Sequence, residues 1–170
     1  MIIQAIWYML PAYFSNMAPV FFKDSFKFLS KPVNTKVFGS HKTWRGIFAG
    51  TFFGILVAYL QHVMYNDYLW VGGISLINYE NWLLFGFLMG FGAVFGDLIK
   101  SYFKRNVGIK PGGRWIPFDQ LDYIIGALVL SSFVYLPSLW MIVLIFIVSF
   151  LGHILINHVG YYLKIREVKW

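Results

Sequence analysis

WLLFGFLMGFGAVFGDLI, residues 82–99, decides the fold class. It carries one charged residue, Asp97, close to its end. A helix needs about 20 apolar residues at ~1.5 Å each to cross ~30 Å of hydrocarbon, and this run approaches that length. Four further runs do the same, at roughly 2–22, 46–64, 121–136 and 139–157. Of the 170 residues 59% are hydrophobic, 21% aromatic and only 12% charged. A soluble domain carries about 25% charged residues, so an integral membrane protein with a single all-α domain is predicted. There is no cysteine, which excludes disulfides, zinc–thiolate sites and thiol nucleophiles. The first run has polar Ser15 and Asn16 in its middle and lacks the flanks of a signal peptide, so it is expected to be a span. Pro11 and Pro19 predict a kink or break in it, with Asn16 turned inward.

The basic residues set the orientation. Six lie between Lys23 and Arg45, five between Lys100 and Arg114, and three between Lys164 and Lys169, which accounts for all 14. With five spans these segments share one side, while 65–81 and Pro137-Ser138 have none. The positive-inside rule makes the basic side cytoplasmic, the N-terminus external and the C-terminus internal. Topology thus explains most of the +7 net charge, and no nucleic-acid partner is expected. The stretch 65–81 reads as a short external loop, with Tyr68, Trp70, Tyr79 and Trp82 as an interfacial aromatic belt.

Towards the end of the opening run the character changes. Residues 96–123, GDLIKSYFKRNVGIKPGGRWIPFDQLDY, hold three of the seven acidic residues and five of the basic ones. Asp97 ends one apolar run; Asp119 and Asp122 open the next. Between them stand Ser101, Lys104, Arg105, Lys110 and Arg114, with the pair Gly112-Gly113. Carboxylates that hold Mg²⁺ beside a basic, glycine-containing loop suit a nucleotide phosphate chain. Two readings of Asp97 are open: an ion pair with Lys100 or Lys104, or a metal site shared with Asp119 and Asp122. An Asp near the start of a helix also caps it, most naturally Asp119 here. Asp122 lies one turn deeper, on the same face.

FGSHKTWRG, residues 38–46, places Lys42, Thr43 and Arg45 at the start of the second run. They could bind phosphate, or merely anionic headgroups. His41 stands where a P-loop needs glycine, and no strand precedes it, so a P-loop is excluded. The second and fourth spans start on the cytoplasmic side and the third ends there, bringing anion-favouring and cation-favouring helix ends together. Gly46, Gly50 and Gly54, and Gly86, Gly90, Ala93 and Asp97, form small-residue stripes. These read as close helix packing, as a groove by which a lipid chain reaches the polar end of the stripe, or as both together. His153, Asn157 and His158, near the inner end of the last span, read as packing or hydrogen-bonding groups. His62 reads as interfacial.

Residues 38–46 and 96–123 together resemble the two cytoplasmic motifs of the CTP:phosphatidate cytidylyltransferase superfamily. Lys42, Thr43 and Gly46 match its Lys-Thr-x-x-Gly element. Ser101, Lys104, Arg105, Lys110, Asp119 and Asp122, with Gly96-Asp97 ahead, match the later one. LPAYFSNMAP, residues 10–19, and KTWRG are similar to the short archaeal branch, the CDP-archaeol synthases. The His-Gly-Gly element is absent before Asp119, and Pro111, Gln120 and Arg45 depart from the bacterial and eukaryotic pattern, which favours the archaeal branch over a diacylglycerol substrate. The resemblance implies that the phosphate of an isoprenoid glycerol phosphate lipid attacks CTP, giving CDP-archaeol and pyrophosphate at the cytoplasmic face of the cell membrane, with Mg²⁺ as cofactor. It implies catalytic roles for Asp97, Asp119, Asp122, Lys104 and Arg105, the three carboxylates serving as metal ligands. Lys42, Thr43, Arg45, Ser101, Lys110, Gly112, Gly113 and Arg114 are then implied in binding CTP or the lipid phosphate. The alternatives are an enzyme of the CDP-diacylglycerol synthase type, or a non-enzymatic transporter or scaffold. A transporter needs a polar path through uncharged outer halves of the spans, and a scaffold leaves Asp97 without purpose. A CDP-alcohol phosphotransferase needs an Asp-rich helix motif that is missing.

Overall fold

The computed structural model describes residues 1–21, 29–111, 113–162 and 164. Gly112, expected in phosphate binding, lies outside the described residues, as do the basic residues Lys23, Lys27, Arg166 and Lys169. Six helices follow one another: α1 (Ile2–Phe21), α2 (Trp44–Asp67), α3 (Leu69–Ile74), α4 (Trp82–Asn106), α5 (Phe118–Ser131) and α6 (Leu139–Tyr162). Among the described residues there is no strand, only one antiparallel bridge between Pro32 and Thr43.

Each long apolar run becomes a helix, with three corrections. The loop expected over 65–81 contains α3, because α2 continues to Asp67 and the chain turns back at Tyr68 into another short helix. Tyr79, expected at the interface, is buried against Tyr65 and Phe85, and that burial pushes its phenol above the ordinary value. α1 runs without a break through Pro11 and Pro19. Asn16 is half-buried, as expected. α2, α4 and α6 are long and apolar enough to cross a membrane by length and composition. α5, at 14 residues, spans only about 21 Å.

α4 is the centre of the bundle, and glycine explains how. On one side Gly86 and Gly90 face α2: a Cβ on Gly90 would stand 3.0 Å from the Gly54 Cα, and one on Gly86 would stand 2.7 Å from the Ala58 Cβ. At Gly54, Gly86 and Gly90 the small-residue stripe is therefore a packing seam filled by the neighbouring backbone, while its polar end at Gly46 and Asp97 borders an open cavity. A second seam lies between α4 and α5, where Gly92 and Gly96 meet Gly126 and the Asp122 carbonyl. This second seam sets Asp97 beside Asp122. Hydrogen bonds that would be costly to leave unmade in lipid tie α1 to the rest. Ser15 Oγ donates to Gly90 O at 2.9 Å, Gln61 Nε2 to Trp7 O at 2.6 Å, and Tyr8 Oη lies 3.0 Å from Ser131 Oγ. Such bonds contribute about 0.6–2 kcal/mol each between membrane helices.

Candidate active site

The last three turns of α4 turn Asp97, Lys100, Ser101 and Lys104 towards the bundle at three- and four-residue spacing. The Ser101 hydroxyl donates to the Asp97 carbonyl at 2.8 Å, which leaves the Asp97 carboxylate free for other groups. α5 begins after the basic loop, with Pro117 at the N-cap position and no side-chain cap. Asp119 is therefore not the cap: it lies in the first turn, and its carboxylate accepts from Trp115 N at 2.6 Å, closing the loop from behind. Asp122 accepts from its neighbour Tyr123 N at 2.7 Å and is buried. Lys42 is held by the bridge ahead of α2, where Val33 N donates to Lys42 O at 2.8 Å and Trp44 N to Lys31 O at 3.2 Å.

The three carboxylates meet, and what lies between them is an ammonium. Lys100 Nζ stands 2.9 Å from Asp97 Oδ1, 3.1 Å from Asp119 Oδ1 and 2.6 Å from Asp122 Oδ2. Lys42 pairs with Asp97 from the other side, and Lys104 binds both oxygens of Asp119 at 2.9 and 3.1 Å as well as Gly113 O. Three carboxylates and three ammonium groups thus balance in a half-buried cluster. Removing one partner of such a buried pair costs about 3–5 kcal/mol. Of the two readings of Asp97, the ion pair with Lys100 is the one present, joined by Lys42; Lys104 goes to Asp119 instead. Among the described residues no group of three acidic or imidazole side chains is arranged to hold a metal as it stands. The donor set nevertheless fits a hard divalent cation, because three carboxylates already aim oxygens at a single cationic centre.

Above the cluster opens a cavity of about 350 Å³ with a basic wall, lined by Lys42, Lys100, Lys104, Arg105 and Arg114 together with Ser101. Arg105 Nη2 donates to Lys110 O at 3.2 Å, while its Nε and Nη1 are buried without a partner. A guanidinium held in that way is prepared for an anion with planar, forked oxygens. Gly113 also lines this space. Lys110 does not: its side chain is exposed, and only its carbonyl serves the loop. Thr43 and Arg45 are likewise elsewhere. Thr43 caps α2, accepting from Gly46 N at 3.2 Å, and Arg45 donates to Ser30 Oγ at 2.9 Å. Both line a separate cavity of about 400 Å³ between α1, α2 and α4, with the Lys42–Asp97 pair in its wall.

Several lining residues escape a reading of the sequence. Lys100 is expected there only as an ion-pair partner, although its three-residue spacing from Asp97 is a usable signal. His153 and Asn157, four apart on α6, reach the basic cavity, and so does the buried Gln120. Two apolar grooves approach the same place. One, of about 350 Å³ between α4 and α5, has Lys100 and Asp122 at its polar end. The other, of about 390 Å³ between α1, α5 and α6, leads to His153.

A helical chain with membrane-crossing elements, a buried ionic cluster and a basic cavity fed by apolar grooves is built as an intramembrane enzyme for a substrate anionic at one end and apolar at the other. Its fold agrees: a solved structure of an intramembrane enzyme of archaeal membrane lipid biosynthesis superposes with a TM-score of 0.74 at 26% identity, covering 92% of this chain and 94% of that one. More narrowly, the chain belongs to the CDP-archaeol synthase family. The family profile for CDP-archaeol synthase, CarS-like, matches residues 1–170. The CDP-archaeol synthase of Thermococcus onnurineus is 33% identical over 99% of this chain and 97% of its own length. That of Pyrococcus furiosus is 32% identical over 99% and 98%, and that of Archaeoglobus fulgidus 30% over 100% and 98%.

Proposed function

We propose that the protein transfers a cytidylyl group from CTP to the phosphate of an isoprenoid glycerol lipid, forming CDP-archaeol and pyrophosphate. Membership of the family supports this. The single structural observation that carries it is the basic cavity standing over three converging carboxylates, with apolar grooves opening beside it. An oxygen of the lipid phosphate forms a new bond to the α-phosphorus of CTP as the bond to the β-phosphate oxygen breaks, and pyrophosphate leaves. A phosphate monoester is already a competent nucleophile, so no general base is required. The work left is to align two anions and to neutralise charge on the leaving group.

In this assignment Arg105 and Arg114 bind triphosphate oxygens, Lys104 fixes Asp119 and the Gly113 carbonyl of the basic loop, and Lys42 orients Asp97. Asp97, Asp119 and Asp122 would hold a divalent cation, Mg²⁺ by the hardness of the donors, which when bound offsets the charge of the triphosphate. One apolar groove receives an isoprenoid chain, so that the lipid phosphate arrives at the edge of the cavity. We further propose five spans in a single domain, formed by α1, α2, α4, α5 and α6. The N-terminus is then external and the C-terminus cytoplasmic, with the cavity facing cytosolic CTP across the cell membrane. The test is pyrophosphate release by purified protein supplied with CTP, Mg²⁺ and the unsaturated archaeal lipid phosphate. Release should require all three. Hydrolysis of CTP independent of lipid, or equal use of a diacyl phosphate, would contradict the assignment.

A further inference from the structure

The feature least accounted for is the lysine at the centre. Three carboxylates share one ammonium as their ion-pair partner, each with an oxygen within 3.1 Å of it. Asp97 and Asp119 each have a second lysine, Lys42 and Lys104. Asp122 has no other cation among the described residues, and its side chain is only 6% exposed. A divalent ion drawn to the same three carboxylates would face the Lys100 ammonium at close range, a strong repulsion in a medium of low dielectric. Both cations cannot keep this position.

We propose, resting on the metal-dependent reaction assigned above, that Lys100 is a displaceable counter-cation. It holds Asp97, Asp119 and Asp122 together in the metal-free protein and gives up their centre when the divalent ion enters. The structure supplies a place for it to go. Lys100 is the one described residue that lines both the basic cavity and the α4–α5 groove. Its four-carbon stem can swing towards either without moving α4. Lys100 is thus a positioning residue, acting through the carboxylates and setting how tightly they bind metal.

Metal binding without CTP or lipid tests this directly, with Mn²⁺ titrated into detergent-purified protein and followed by its paramagnetic resonance signal. Lys100→Met removes the competitor, so its Kd for Mn²⁺ should fall at least tenfold below that of the unmodified protein. Its melting temperature should drop in EDTA and rise further on adding Mn²⁺. Lys100→Arg keeps a cation in place and should bind Mn²⁺ within about threefold of the unmodified protein. A merely structural lysine would give weaker or unchanged metal binding in Lys100→Met, and that result overturns the proposal. Should Lys100→Met not fold in EDTA, Lys100→Gln, which keeps most of the length and a donor, is held to the same expectation. Asp122→Asn separates the two levels of inference. If it binds Mn²⁺ as the unmodified protein does, the carboxylate metal site itself is wrong. If it loses binding while Lys100→Met and Lys100→Gln show no gain, only the role of Lys100 fails.

Discussion

Replacing Gly96 by Ala should cost far more activity than stability, because the α4–α5 seam passes directly through the cluster. A Cβ on Gly96 would fall on the Asp122 carbonyl oxygen, 3.0 Å from the carbonyl carbon and 3.2 Å from the Gly126 Cα. All of these are backbone atoms, so no side chain can yield, and the helices must part by roughly 1 Å. Overpacking of this kind costs about 1–3 kcal/mol, offset by the ~1 kcal/mol that Ala gains over Gly within a helix. The net loss of stability is therefore about 0–2 kcal/mol. The same displacement moves Asp122 relative to Asp97, one residue from Gly96, and a misplacement of ~1 Å costs about 10²-fold in rate. Gly86→Ala is the control. It collides with the Ala58 Cβ at 2.7 Å and the Ile55 Cα at 2.8 Å, but about 16 Å further along α4 from Asp97. Thermal melting in detergent and pyrophosphate release would be measured on both. The expected outcome is similar stability loss, with turnover falling about 10²-fold in Gly96→Ala and less than about threefold in Gly86→Ala. Near-normal turnover in Gly96→Ala, or equal losses in the two, would refute the idea that this backbone contact sets the carboxylate geometry.

Arg105→Ala should lower turnover by about 10²-fold and Arg105→Lys by nearly as much, since Lys lacks the fork; Lys110→Ala, altering an exposed side chain, should stay within about threefold in the same assay. Asp119→Asn keeps an acceptor for Trp115 N but loses its charge towards Lys100 and Lys104, so it should still fold, with a lowered melting temperature, and lose at least about tenfold in turnover. Wild-type-like turnover there would reduce Asp119 to a loop-closing group. The chain lacks cysteine, so single substitutions report topology cleanly: Asn78→Cys should label from outside intact cells, and Lys36→Cys only after permeabilisation. The reverse pattern would put the basic cavity on the side without CTP.

How far the sequence carries the structure depends on which physics is local. Hydrophobic length is local, and the run 82–99 is a helix. That helix extends to Asn106 because Lys104 and Arg105 favour its negative end, a continuation that hydropathy undervalues. The seam between Gly54 and Gly90 is visible as a period of four residues. The seam through Gly92, Gly96 and Gly126 is not, since a lone glycine in α5 has no period of its own. Asp97, Asp119 and Asp122 are expected to converge, and they do. That Lys100 should reach Asp119 and Asp122 as well as Asp97 depends on the crossing of α4 with α5, which no spacing within either helix reports. The same limit applies to His153 and Asn157, brought to the cavity from the other end of the chain. Thr43 and Lys110 fail as cavity residues for a simpler reason. The Thr43 hydroxyl is taken by Gly46 N of its own turn, and the Lys110 side chain points to the exposed side of its loop.

The pairing of Asp97 with Lys100 also bears on how such a chain is built. The two are three residues apart on one helix, 2.9 Å between charged atoms, and need no other part of the protein to meet. A lone carboxylate or ammonium deep in a nascent helix opposes its entry into the bilayer by about 2.5–3.5 kcal/mol each at the centre, less towards the interface. Here each arrives with its counter-charge one turn away, so the stretch of α4 from Trp82 to Lys100 can partition into lipid with no net charge, without α2 or α5 packed against it. Asp97, the acid assigned to the reaction, would thus enter the bilayer already paired with the lysine beside it in the folded cluster.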